Sequence, residues 1–278
     1  MRRRLLSLFF LSLLLTAAAQ AQLVDEFNPP RANCCLAGTA KSLADQLLDW
    51  NQLGRYHAAN QELLKQPEDP KRVVFMGDSI TDGWRLNEYF PGKPYVNRGI
   101  SGQTTPQMLV RMYPDVIDLK PAAMVVLAGT NDIAHNTGPE TAEMVQENLM
   151  AMTELAQHHG IKVVLCSVTP VSDYPFLSQQ AGRGGQGGAG MQGGPGRGPM
   201  MRPRQTEQRP PADILKLNAW MKDYAAKSGA IYADYFTALV DDKGWMKEGI
   251  SADGLHPNAE GYKLMLPVVE AAIQKALQ

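Results

Sequence analysis

Five short apolar runs alternating with longer amphipathic stretches constrain this chain more than any other feature. The runs cover residues 72–76, 95–98, 123–128, 161–167 and 230–233, and the amphipathic stretches 106–119, 139–159, 212–228 and 258–277. In the second stretch, Met144, Val145, Leu149, Met152 and Leu155 recur three or four positions apart, the period of a helix with one apolar face. Pro139 suits its first turn and Gly160 its end. Apolar runs without polar alternation predict strands buried on both faces, and their alternation with helices predicts a parallel sheet covered on both sides. The expected fold is α/β: a three-layer, doubly wound, flavodoxin-like domain with a central parallel sheet of about five strands. In such sheets ligands lie beyond the carboxyl ends of the strands.

The amino terminus has another character. Met1 to Arg4 carry three cations, Leu5 to Leu15 are apolar, and Ala19-Gln20-Ala21 offers a small-residue exit. This order predicts a signal peptide over 1–21, cleaved after Ala21. The apolar run is shorter than the roughly 20 residues a membrane span needs. Residues 22–40, with Pro29-Pro30, read as an irregular lead-in, and 41–278 as one domain. Within it, Leu43, Leu47, Leu48 and Leu53 give 42–64 a helical pattern. The chain holds 27 Lys and Arg against 28 Asp and Glu, and losing the leader leaves 24 cations. That balance excludes a general attraction to nucleic acid. A hydrophobic share of 44% excludes a wholly disordered chain.

Three cysteines are too few for a disulfide framework. Adjacent Cys34 and Cys35 bridge each other only in a strained ring, so free thiols or an intermolecular bond are expected. Cys34 also lies too far from the apolar run to be a lipid-modified first residue. Cys166 falls in a run that should be buried. The expected location is periplasmic or extracellular, with a soluble mature protein.

One segment interrupts the alternation. Residues 181–200 contain ten of the chain's 25 glycines and almost no side chain worth burying. Such a composition does not offset its ordering entropy, so a disordered insertion is expected at about 178–211. It carries Arg183, Arg197, Arg202, Arg204 and Arg209 against Glu207 alone. A passive surface loop and a flap that meets an anionic partner both fit that charge.

The residues able to do chemistry cluster after the runs. Ser79, in Gly77-Asp78-Ser79-Ile80-Thr81, follows the first strand, where a ligand would sit; Asp78 or Ser79 equally suits a helix cap. A serine hydroxyl needs a base to take its proton. Of the five histidines, His158 and His159 end a helix and suit its dipole, and His57 sits in the early helical region. His135 follows the third strand closely enough to border a site. His256 stands in a Gly- and Pro-containing loop with Asp253 three residues before it. One turn then aims the carboxylate at the ring nitrogen remote from the serine, setting the tautomer. Donors for an oxyanion come from two loops: Ile100-Ser101-Gly102-Gln103-Thr104 after the second strand, and Gly129-Thr130-Asn131-Asp132 after the third. The G-x-S-x-G turn of α/β-hydrolases, a zinc-spaced ligand cluster and a phosphate-binding G-x-x-x-x-G-K-[ST] loop are all missing from the sequence.

Taken together, Gly77-Asp78-Ser79-Ile80, Ile100 to Thr104, Gly129 to Asp132 and Asp253-Gly254-Leu255-His256-Pro257 resemble the SGNH hydrolases, the GDSL-type esterase/lipase family. Ile80 replaces the name-giving leucine. The resemblance implies that Ser79 is the nucleophile, His256 the general base and Asp253 its orienting carboxylate. It implies an oxyanion hole from the Ser79 and Gly102 N–H groups and the Asn131 side chain, with Asp78, Gly99 and Asp132 supporting the loops. It implies no cofactor and no metal. Export and the lack of a long greasy segment favour short acyl groups such as acetyl on carbohydrate. A lysophospholipase-type acylhydrolase is the alternative, and a non-catalytic glycan- or lipid-binding protein the reading from another class.

Overall fold

A computed structural model of the chain describes residues 36–184 and 204–278. Five parallel strands, β1 (Val73–Gly77), β2 (Tyr95–Gly99), β3 (Ala123–Leu127), β4 (Lys162–Cys166) and β5 (Ile231–Ala233), lie in the order β2-β1-β3-β4-β5. Every residue of β1 and β3 is buried. Successive side chains on a strand point to opposite faces, and the core divides accordingly. Val74, Met76, Met124, Val126, Val163 and Leu165 pack on one side with Met108, Leu149, Met152, Leu217 and Met221 from the helices there. Val73, Phe75, Val125, Val164 and Cys166 pack on the other with Met265, Val269 and Ile273 of the last helix. The expected three layers and five strands are present. Chain direction across the sheet reverses between β1 and β3, so the loops leaving those two strands splay apart and open a crevice, where this class of sheet holds ligands.

The helices depart from their sequence pattern in informative ways. The stretch 42–64 forms two helices, Leu36–Leu48 and Gly54–Leu64, parted at Gln52, whose φ is 58°. Leu43, Leu47, Leu48 and Leu53 are exposed, so their spacing does not mark a core face. The stretch 106–119 breaks into short helical pieces, Thr105–Val110, Met112–Asp115 and Ile117–Leu119. Pro139 lies outside its helix, which runs Ala142–His158 and starts on Thr141, whose hydroxyl accepts the Met144 N–H. Gly160, at φ 74°, follows its end as expected. The helices Pro211–Ser228 and Ala259–Ala276 match their predicted ranges closely, the latter capped by the Asn258 side chain. By contact density, Met1–Ala44 and Asp45–Gln278 are separate units.

Disorder over 178–211 is corrected at both ends. A helix spans Tyr174–Gly184, and a short one, Gln205–Gln208, precedes the helix at Pro211. Thr206 is tied to buried Asp173, its N–H to Oδ1 at 3.2 Å and its hydroxyl to Oδ2 at 2.5 Å. Arg209, counted above among the cations open to an anionic partner, is instead buried, so its charge faces inward. The physical reason is that an isolated polar segment orders where buried groups elsewhere give it partners. The predicted signal peptide, the lead-in as far as residue 35 with Cys34 and Cys35, and residues 185–203 lie outside the described residues.

A buried ion pair locks the loop after β2. The Arg111 guanidinium, with no exposure, donates to Gln103 Oε1 at 2.8 Å, to Asp115 Oδ2 at 2.5 Å and to the Arg98 carbonyl at 3.1 Å. Asn60 Nδ2 donates to the other Asp115 oxygen at 2.7 Å. Arg111→Leu would leave a buried carboxylate without its cation, a change that typically costs about 3–5 kcal/mol. The expected result is a lower urea midpoint with an unchanged denaturation slope.

Candidate active site

The first strand delivers Ser79 to the crevice. Asp78 caps the one-turn helix Ser79–Asp82, its Oδ1 accepting the Ile80 N–H at 2.9 Å. Gly99 ends β2 against that turn; a Cβ there would come within 2.2 Å of the Asp82 nitrogen, so only glycine allows the approach. Tyr262 of the last helix donates its hydroxyl to the Ile80 carbonyl at 2.8 Å and stacks on Trp84 at 5.2 Å between ring centroids. The turn is thereby held from both sides.

His256 arrives from the loop before the last helix. Its Nε2 lies 2.8 Å from Ser79 Oγ, and its Nδ1 lies 2.6 Å from Asp253 Oδ2. Asp253 is fixed in turn: its Oδ1 accepts the N–H groups of Leu255 at 3.0 Å and His256 at 2.9 Å, and the Ser251 hydroxyl at 3.1 Å. Gly254, at φ 80°, makes this tight loop possible. A Cβ there would meet the Ser172 carbonyl at 1.9 Å, where the loop packs against the segment following β4.

These contacts set the charges. Burial works to raise the Asp253 pKa, yet the hydrogen bonds from the His256 ring and from two backbone N–H groups hold it well below the usual carboxylate range. The Asp253 hydrogen bond raises the His256 pKa, against partial burial. Burial pushes Asp78 up to about 7, against the Ile80 N–H, with Asp132 adding to the rise. A carboxylate, an imidazole and a hydroxyl in hydrogen-bonded sequence form a proton path from oxygen to ring nitrogen.

The expected donors lie in the loops that follow β2 and β3. Gly102, at φ 83°, sits in the turn after β2, and its carbonyl is held by Asn136 Nδ2 at 3.1 Å. Its N–H reaches no acceptor among the described residues. Asn131, buried after β3, gives one amide hydrogen to the Gln103 carbonyl at 3.0 Å, which leaves its second free. Buried Asp132 ties the β3 loop to its neighbour, accepting the Thr105 N–H at 2.8 Å and hydroxyl at 2.5 Å. The other histidines stand apart. His57, His158 and His159 are exposed, and His135 borders a separate cavity with Asp132, Glu140 and Lys216.

Ser79 and His256 open onto a depression of about 450 Å³ that is also lined by Asp82, Gly83, Ser101, Pro257 and Tyr262. Asp82 accepts the Ser101 hydroxyl at 2.7 Å and meets Arg55 at 3.4 Å. Asp82, Tyr262 and Arg209 were not singled out by the sequence. For Asp82, position three residues after the serine is the signal available. Tyr262 and Arg209 carry none, because a helical tyrosine reads as core and an arginine in a polar stretch before two prolines reads as solvated.

The model of the GDSL-like Lipase/Acylhydrolase family matches residues 75–264. This chain belongs to that family. The match begins within β1 and takes in the other four strands and the four segments that carry the resemblance. Among solved structures, a GDSL-like lipase from Bacteroides thetaiotaomicron is 34% identical with a TM-score of 0.67, covering 82% of this chain and 99% of that one. The Bacillus subtilis (strain 168) lipoprotein YqeF is 33% identical over 118 residues, 36% of this chain and 49% of that protein. The Pseudomonas aeruginosa esterase TesA is 29% identical over 126 residues, 40% of this chain and 61% of that protein. The matches thus span about half to three fifths of the length of these two curated relatives.

Proposed function

We propose that this GDSL-family chain is an exported serine esterase that transfers short acyl groups, such as acetyl on carbohydrate, to water. The observation that carries the reading is the continuous hydrogen-bonded row Asp253–His256–Ser79 at 2.6 and 2.8 Å. In this reading residues 1–21 are a cleaved signal peptide, 22–40 a lead-in and 41–278 the catalytic domain. Similarity to a lipoprotein supports export.

The reaction follows from the row. Ser79 Oγ attacks the ester carbonyl carbon while its proton passes to His256 Nε2, and the carbonyl oxygen becomes an oxyanion. The Ser79 and Gly102 N–H groups and Asn131 Nδ2 donate to that oxygen; one such donor is typically worth about 2.7–4 kcal/mol. Asp253, held ionised, stabilises the imidazolium as it forms. The intermediate collapses, its ester C–O bond breaks, and the imidazolium proton leaves with the alcohol. Water then loses a proton to Nε2 and attacks the acyl-serine; the bond from the acyl carbon to Oγ breaks, Nε2 returns its proton to Ser79 Oγ, and the acid leaves.

The lining of the depression supports short acyl groups. Among the described residues it includes no Leu, Ile, Val or Met, and Asp82 and Ser101 put polar atoms on its wall. A longer chain would gain little of the roughly 0.8 kcal/mol per methylene that full burial offers. Across nitrophenyl esters from acetate to dodecanoate, kcat/KM is expected to be highest for acetate and to decline with length. A maximum at octanoate or beyond would instead favour the lysophospholipase-type alternative. A fluorophosphonate probe tests the nucleophile itself: mass spectrometry should find one adduct, on Ser79.

A further inference from the structure

The carboxyl-terminal flank of the Gly/Arg-rich segment sends one side chain into the site. Arg209 is 5% exposed and stands just before the helix Pro211–Ser228. Its Nε donates to Thr130 Oγ1 at 3.1 Å and its Nη2 to Asn131 Oδ1 at 3.4 Å. Its Nη1 is held by Gln205 Oε1 at 2.9 Å and Gln208 Oε1 at 3.4 Å. The Thr206–Asp173 pair pins the same turn from the other side. Arg209 forms no ion pair among the described residues; its acceptors are all neutral, while Asp78 and Asp253 act on it only through space. A guanidinium taken out of water without a carboxylate partner is costly to hold, and groups of that kind concentrate where their field has a use.

We propose that Arg209 is a positioning residue for Asn131: it grips the side-chain amide by its oxygen and so presents the nitrogen to the oxyanion. An amide is free to exchange its two ends unless its oxygen has a donor and its nitrogen an acceptor. Arg209 supplies the first and the Gln103 carbonyl the second. The remaining N–H then faces the crevice with no rearrangement needed as the reaction proceeds. A fixed cation behind the amide oxygen also draws electron density away from that N–H, making it a stronger donor to a developing negative charge. The segment between the helices at 174 and 211 therefore contributes to the reaction through residue 209. This inference rests on the reading of Asn131 as an oxyanion donor.

A double-mutant cycle separates the two claims. Steady-state kinetics on nitrophenyl acetate are measured for the wild type, Asn131→Ala, Arg209→Met, Arg209→Lys and the double variant Asn131→Ala/Arg209→Met. Asn131→Ala is expected to lower kcat by on the order of 10²–10³-fold. Arg209→Met is expected to lower kcat by about 10–100-fold with KM changed less than about threefold, since the interaction is felt in the transition state. In the Asn131→Ala background Arg209→Met should cost less than about twofold more, because its target is gone. Loss of the cation should also move the acid limb of kcat/KM to higher pH, as Arg209 lowers the His256 pKa through space. Arg209→Lys, which keeps the charge, should leave that limb in place while kcat still falls. If Arg209→Met does not fold, the Lys variant and its cycle with Asn131→Ala give the same decision. Additive losses, or an unchanged kcat for both Arg209 variants, would overturn the inference alone. An unchanged kcat for Asn131→Ala would overturn the oxyanion reading as well.

Discussion

Ser79→Ala is expected to lower kcat for ester hydrolysis by about 10⁵–10⁶-fold, with KM little changed. The reacting oxygen leaves with the side chain, and among the described residues His256 Nε2 hydrogen-bonds to no other hydroxyl. Residual turnover over water should persist at on the order of 10³-fold, because the proposed oxyanion donors are left in place. Folding should be untouched: among the described residues the Ser79 side chain bonds only to His256, while the turn is held by Asp78, Tyr262 and Gly99. Thermal unfolding of wild type and variant measured side by side gives that control. Turnover within tenfold of wild type would remove Ser79 as nucleophile.

Asp253→Asn is expected to cost about 10⁴-fold in kcat, for a different reason. The asparagine keeps an oxygen for the Leu255 and His256 N–H groups, so the loop stays in place. Its NH₂ replaces Oδ2, however, and becomes a donor facing His256 Nδ1. The ring must then carry its proton on Nε2, where it has no lone pair to receive the serine proton. The pH dependence gives a second readout. The wild-type reaction needs a neutral His256, so kcat/KM falls as pH drops through a pKa that Asp253 holds above the ordinary imidazole value. With the carboxylate gone that cause disappears, and the residual activity should keep its level to lower pH than the wild type. A shift in the opposite direction would mean that Asp253 does not face the base in solution.

The sheet is legible in the sequence because strands buried on both faces must be apolar throughout, and five such runs stand clear of their surroundings. The residues brought together at the crevice are legible for another reason. Ser79, Asn131 and His256 each follow a strand or precede a helix in a turn too polar to be core, and chemistry limits which side chains suit such places. The helices are less so. In 106–119, Pro114 and the polar Asp115 and Asp118 sit amid apolar residues, and the periodicity does not reveal that the chain turns between short pieces. Leu43, Leu47 and Leu48 have the spacing of a buried face without being one. Arg209 shows the deeper limit. Nothing local marks it, since its partners Thr130 and Asn131 lie 79 and 78 positions away and only the folded chain brings them near.

The row of hydrogen bonds joins positions 177 apart, and its histidine sits just ahead of the final helix. A nascent polypeptide that has not yet reached residue 256 lacks the base of that row. Hydrolytic power would therefore wait for the end of the chain, which packs its last helix on β3, β4 and β5. A precursor kept unfolded for passage through a translocation channel would remain harmless to the esters of the compartment that made it.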